Sequence, residues 1–133
     1  MISHTERLYV SFVDTDASGR IHYTAGLRYF ERAEEGLMRE LLDGKRPSDF
    51  GMAGFPRIHV EADFPGTLGF QDAIECTARV EKVGRTSVTY GYEVVNADGV
   101  SCVRGVIVAV AVDEQGRSIP LPEEIRRRFE RAL

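Results

Sequence analysis

One stretch, Thr24 to Leu42, constrains the fold more than any other, because it is the only long helical pattern among strand-like runs. Leu27, Phe30, Ala33, Leu37 and Leu41 recur at helical spacing with Met38 beside them, and Glu31, Arg32, Glu35 and Arg39 fall mostly elsewhere on the surface. Gly44 and Pro47 end the pattern. A helix with one apolar stripe must bury it, and the surrounding chain offers strands to bury it against. Arg7 to Val13 precedes the helix as a strand; Ile58 to Phe64, Ala73 to Val83, Thr86 to Asn96 and Val100 to Asp113 follow it. Gly84-Arg85 and Asp98-Gly99 mark hairpin turns. The last run is nearly continuous in β-branched residues, which predicts a central strand buried on both faces. Pro122-Glu123-Glu124 opens a short terminal helix. The order predicts an α+β layer fold with a mostly antiparallel sheet curled around the helix. With 133 residues, no internal repeat and no second core pattern, residues 1–133 read as one domain.

The formal net charge of −4 argues against nucleic acid as the main partner. The one dense basic run, Arg126-Arg127-Arg128 with Arg131, reads as a helix tail that complements its own dipole; anion binding is the alternative. Cys76 and Cys102 lie in strand-like runs without CxxC or His spacing, so buried reduced thiols are expected rather than a disulfide or a metal site. His4, His22 and His59 have no metal-ligand spacing, and no metal is expected. No apolar run reaches membrane-spanning length and Met1-Ile2-Ser3-His4 lacks a signal-type apolar stretch, so no membrane insertion and a cytoplasmic location are expected.

The chemistry concentrates in Val13-Asp14-Thr15-Asp16-Ala17-Ser18-Gly19-Arg20-Ile21-His22-Tyr23, which runs from a strand-like segment through a glycine turn into the helix. A helix N-terminus presents unpaired N–H groups and partial positive charge. A carboxylate beside it suggests a base facing an oxyanion-stabilising group, two parts of a hydrolytic site. By residue type alone, Asp16 reads first as a turn residue capping nearby N–H groups, with the catalytic role second. Asp14 reads as structural, pairing with an arginine or fixing the loop. No Gly-x-Ser-x-Gly elbow occurs.

Phe12-Val13-Asp14-Thr15-Asp16-Ala17-Ser18-Gly19, together with Leu27-Arg28-Tyr29-Phe30-Glu31-Arg32-Ala33-Glu34, resembles the hotdog-fold acyl-CoA thioesterases of the 4-hydroxybenzoyl-CoA thioesterase and YbgC type. Val83-Gly84-Arg85-Thr86-Ser87 and Gly116-Arg117-Ser118-Ile119-Pro120-Leu121-Pro122 are similar to that family too. The resemblance implies a five-stranded antiparallel sheet wrapped around the central helix. It also implies a homodimer with one continuous sheet, often paired again into a dimer of dimers, and active sites at the subunit interface. By the same resemblance Asp16 is the catalytic carboxylate, the backbone N–H of Tyr23 polarises the thioester carbonyl, and the substrate is an acyl-CoA. No cofactor is implied, since CoA is part of the substrate.

Two positions depart from the family pattern. Relatives commonly have an aromatic residue then His where this chain has His22 then Tyr23, and an aromatic residue where Gly26 stands. Both border the acyl pocket and bear on substrate identity. His22 is a candidate to orient a water or line the pocket, with plain packing as the alternative. Gly26 either leaves room for an acyl group or allows close backbone packing. Ser87 is a candidate to touch the pantetheine arm or the carboxylate across the interface, and Arg85 to bind CoA phosphates; strand packing and a solvated turn are the respective alternatives. Glu31, Glu34 and Glu35 are rival acids, read by default as helix ion pairs with Arg28 and Arg32. An acyl-carrier-protein thioesterase and a non-catalytic thioester-binding domain remain the competing functions. The former calls for a basic surface that this acidic chain does not advertise.

Overall fold

A computed structural model describes all 133 residues. The chain runs β1 (Ser3–Tyr9), a 3-10 turn (Phe12–Asp14), α1 (Tyr23–Leu41), a second 3-10 turn (Pro47–Phe50), β2 (Arg57–Asp63), β3 (Ala73–Val83), β4 (Ser87–Asn96), β5 (Ser101–Val110) and α2 (Glu123–Arg131). The five strands form one antiparallel sheet in the order β1-β3-β4-β5-β2. β1 and β2 are therefore opposite edges, and α1, which joins them in sequence, has to cross the face of the sheet. That face bends around the helix. Register shifts at Val80/Lys82, Val94/Val95 and Arg57/His59 supply extra local twist. This is the hotdog architecture.

The helix is fixed at both ends by local chemistry. His22 caps its start through Nδ1, which accepts the Thr24 N–H at 3.2 Å. Asp43 and Gly44 leave it with positive φ angles of 51° and 76°. Along its length Ala25, Phe30, Ala33, Leu37 and Leu41 are wholly buried against the inward residues of the sheet, among them Cys76, Ala78, Val88, Tyr90, Val94 and Ala109. Each large side chain buried there contributes roughly 1.5–3 kcal/mol of hydrophobic stabilisation. Phe30 stacks on Tyr92 with ring centroids 4.6 Å apart. It lies so close to Gly105 that a Cβ there would sit 2.3 Å from its ring.

Two expectations need correction. The first strand is Ser3–Tyr9, not Arg7 to Val13, and Phe12 and Val13 stand exposed on a 3-10 turn. β5 is an interior strand, but its outward residues Val106 and Val108 are only half-buried and Arg104 is exposed. Val103, Ile107 and Ala109 on the inward face are sealed, as are Cys102 and Val110 near the strand ends. No helix is long and apolar enough to cross a membrane.

Candidate active site

The segment carrying Asp16 is a small closed loop. Thr15 bridges to Ile21, the Asp16 N–H donates to the Arg20 carbonyl at 2.9 Å, and Gly19, at φ 83°, turns back to the Asp16 carbonyl at 3.0 Å. The Ile21 N–H donates to the Leu68 carbonyl, and Arg20 bridges to Gly69, so the loop lies flat against residues 64–72. The loop is pinned by Asp14. Its carboxylate accepts from the Ser11 N–H at 3.0 Å, the Tyr29 hydroxyl at 2.9 Å and Arg28 at 3.1 Å, and its carbonyl accepts the His22 N–H at 2.8 Å. Burial of Asp14 raises its carboxyl pKa, but these donors outweigh it and hold the group below the ordinary carboxylate range. One buried residue thus ties together the start of the loop and the second turn of α1 through its side chain, and the loop's end through its carbonyl.

Asp16 is exposed. Its Oδ1 accepts from the Ser18 hydroxyl at 2.6 Å and the Ser18 N–H at 2.8 Å, which lowers its pKa below the usual carboxylate value, while Oδ2 has no partner within the chain. The carboxylate is thus ionised at neutral pH and oriented through one oxygen, with the other free to accept a proton. Tyr23 opens α1 on the far leg of the same loop, and its N–H meets no acceptor in the chain. The His22 ring stacks on Tyr23 at 4.5 Å, and because Nδ1 accepts the capping N–H, the neutral ring carries its proton on Nε2.

The other candidates fall elsewhere. Gly26 faces Phe64 and Val103, where a Cβ would lie 3.2 Å from each. Gly26 is therefore closely packed within the chain. Arg85 and Ser87 stand at the opposite end of the sheet: Val103 pairs with Val94, seven residues along β4 from Ser87, or roughly 23 Å at strand rise. A single subunit does not bring them to Asp16. The Arg85 carbonyl, with that of Gly84, accepts from Arg126.

The helix acids also differ from expectation. Arg28 and Arg32 reach off the helix to Asp14 and Glu6 rather than to Glu31 and Glu35. Glu34 is buried and holds Arg57 of β2 and the Tyr92 hydroxyl, each at 2.5 Å. Sequence reasoning misses this network because its three members lie 23 or more residues apart, each looking like an ordinary surface or strand residue. No group of three His, Cys, Asp or Glu side chains is placed to hold a metal ion.

A curled five-stranded sheet around one long helix is the hotdog fold, and the family match makes the protein a thioester hydrolase. The chain belongs to the thioesterase superfamily, whose family model matches residues 18–103. It is similar to a thioesterase from Thermus thermophilus solved with coenzyme A and Zn: identity is 27%, the TM-score is 0.83, and 97% of this chain and 93% of that one are covered. A predicted thioesterase from Bacillus stearothermophilus matches at 22% identity and TM-score 0.87 over 99% of this chain and 97% of that one. A 1,4-dihydroxy-2-naphthoyl-CoA thioesterase from Synechocystis matches at 17% identity and TM-score 0.85 over 96% and 95%.

Proposed function

We propose that the protein hydrolyses an acyl-CoA to the free acid and CoA, with Asp16 as the catalytic carboxylate and the Tyr23 N–H as oxyanion donor. The observation that carries this reading is the pairing, on one closed loop, of an ionised Asp16 with a free Oδ2 and a helix-start N–H without an acceptor. With Asp16 as base, Oδ2 takes a proton from water, the water oxygen attacks the thioester carbon, and the Tyr23 N–H stabilises the oxyanion. The C–S bond then breaks and the thiolate leaves, taking up the proton. With Asp16 as nucleophile, Oδ2 attacks the thioester carbon, the C–S bond breaks and CoA thiolate leaves. Water then opens the acyl anhydride to release the free acid and regenerate the Asp16 carboxylate, and the thiolate takes up the proton that this water releases. Loss of an oxyanion donor typically costs about 2.7–4 kcal/mol of barrier, so the N–H is a major part of either route. The Thermus relative's complex with coenzyme A supports a CoA ester as substrate.

A second copy completes the site. β2 is an edge strand with Ile58 and Val60 exposed by 65% and 47% and Phe64, just beyond its end, by 44%, a surface that invites strand pairing. Arg57 at one end of β2 is level with Ala109 and Val88, beside Ser87; Asp63 at the other end is level with Arg104 and Glu93, beside the start of α1. Antiparallel pairing of β2 with its own copy reverses those ends, setting Ser87 and Arg85 of the second copy level with Asp16 and Tyr23 of the first. This reading takes the protein as a homodimer with a continuous sheet.

The test is loss of thioester absorbance on acetyl-, hexanoyl-, palmitoyl-, benzoyl- and phenylacetyl-CoA. Turnover of one or more supports the reading and names the acyl class; no turnover on any moves the substrate to a carrier-protein thioester. Label in Asp16 after a single turnover in ¹⁸O-water establishes the anhydride route, since the base route never places water oxygen in that carboxylate.

A further inference from the structure

At the C-terminal end of α1 lies an open pocket of about 480 Å³ with Arg39, Lys45, Arg46 and Arg57 in its walls and Met38, Leu42 and Phe55 as apolar lining. Its two acids are Glu34 and Glu35, and Glu34 is already engaged by Arg57 and Tyr92. Arg39, Lys45 and Arg46 make no ion pair in the chain. Asp43, close to Lys45 in sequence, is taken by Arg128 at 2.9 Å. Three free cations thus face one free carboxylate, in a protein of net charge −4. Such a concentration of one sign raises the local potential for an anion.

The backbone that carries these cations is held in place. The Gly44 and Lys45 N–H groups donate back to the Arg39 and Leu42 carbonyls, each at 2.9 Å, and the Arg46 N–H donates to Asp49 at 2.9 Å. Arg128 of α2 clamps the Leu41 carbonyl at 3.1 Å and lies over the Phe50 ring at 5.1 Å. A fixed backbone lowers the ordering cost of binding. The pocket also lies at the Arg57 end of β2, the end level with Ser87 and Arg85. Pairing of β2 with a second copy brings this end beside that copy's Asp16.

We propose that this pocket receives a phosphate group from the nucleotide end of an acyl-CoA whose thioester lies at Asp16 of the second copy. The inference rests on the acyl-CoA reading above and adds where the substrate's charged end is held. Lys45 and Arg46 supply the charge-assisted hydrogen bonds, with Arg39 behind them.

The experiment compares a full acyl-CoA with the N-acetylcysteamine thioester of the same acid, which has the reacting bond but no phosphate. In the double variant Lys45→Ala/Arg46→Ala, KM for the acyl-CoA rises about tenfold, equal to about 1.4 kcal/mol. Its kcat and both constants for the truncated ester stay near wild type. The charge-preserving pair Lys45→Arg/Arg46→Lys keeps the low KM. Calorimetry shows adenosine 3′,5′-bisphosphate binding to wild type and lost in the alanine variant. An unchanged KM for acyl-CoA, or an equal rise for both esters, overturns the proposal. So does inorganic phosphate binding as tightly as the bisphosphate, which would make this a free-anion site. The truncated ester keeps the two readings apart: its hydrolysis tests Asp16 with no phosphate present, and bisphosphate binding tests the pocket with no chemistry.

Discussion

Replacement of Asp14 by alanine should cost about 3 kcal/mol of stability and most of the activity, although Asp14 touches no substrate in this account. The residue is 8% exposed, and its carboxylate accepts three hydrogen bonds, from Ser11, Tyr29 and Arg28. Without it the buried Tyr29 hydroxyl loses its acceptor, which costs about 1–3 kcal/mol, and the Ser11 N–H, in an exposed residue, loses a bond worth about 0.5–1.5 kcal/mol. The Arg28 bond adds little, because that guanidinium is half-exposed and also reaches Thr24 at 3.2 Å. For a domain of this size about 3 kcal/mol lowers Tm by about 10 °C. Asp14→Asn keeps one acceptor oxygen and most of the shape, so its cost should be about 1 kcal/mol. The pH dependence has a definite sign. The folded-state pKa of Asp14 is depressed, so its contribution is full above the unfolded carboxyl value of about 3.9 and is lost as pH falls through the lower folded value. The Tm gap between wild type and Asp14→Ala should therefore be largest near pH 7 and shrink below about pH 4. Thermal unfolding followed by circular dichroism at pH 7 and pH 3 measures both. A drop of less than about 2 °C at pH 7, well short of the expected shift, or a gap that widens in acid, would refute the reasoning.

Gly105→Ala should lower Tm by several degrees, because its Cβ would sit 2.3 Å from the Phe30 ring and 2.7 Å from the Glu61 carbonyl; overpacking of this kind costs about 1–3 kcal/mol. Gly26→Ala, with contacts at 3.2 Å against the side chains of Phe64 and Val103, should cost less by the same assay. Burial pushes the Cys76 thiol up to about 12 and raises Cys102 as well, so neither should react with a thiol dye at pH 7 until the protein is denatured. The depressed pKa of Asp16 means that kcat/KM should hold from neutral pH down to about pH 4 before falling; a decline already centred near pH 6 would point to a different group.

Much of the architecture is legible in the sequence because periodicity records burial directly. The helix starts and ends within one residue of the expected Thr24 to Leu42, and β3 is Ala73–Val83 as expected. β1 departs from expectation for a physical reason: it is an edge strand whose inward residues are His4, Glu6 and Leu8, and two polar side chains break the apolar alternation. His4 and Glu6 satisfy each other at 2.7 Å, a pairing that no local pattern announces. Tyr9, Phe12 and Val13, which suggest a strand by residue type, are exposed. The Asp14 reading as an anchor paired with an arginine matches the structure, since the partners lie within fifteen residues. Glu34 does not yield to the same reasoning, because Arg57 and Tyr92 meet it only after the sheet has closed over the helix. Arg85 and Ser87 resemble family positions, yet within one chain they stand far from Asp16, so their part depends on pairing between chains.

The central claim is that Asp16 carries thioester hydrolysis, and the direct measurement is turnover of the best acyl-CoA by wild type and by Asp16→Asn, followed by loss of thioester absorbance. Asp16 is exposed and outside the core, so the variant should keep the wild-type unfolding temperature within a few degrees. The account predicts a fall in kcat of at least about a hundredfold, the lower range for a lost general base. Equal turnover by a folded Asp16→Asn would contradict it and move the acid to the Glu31 and Glu35 face of α1.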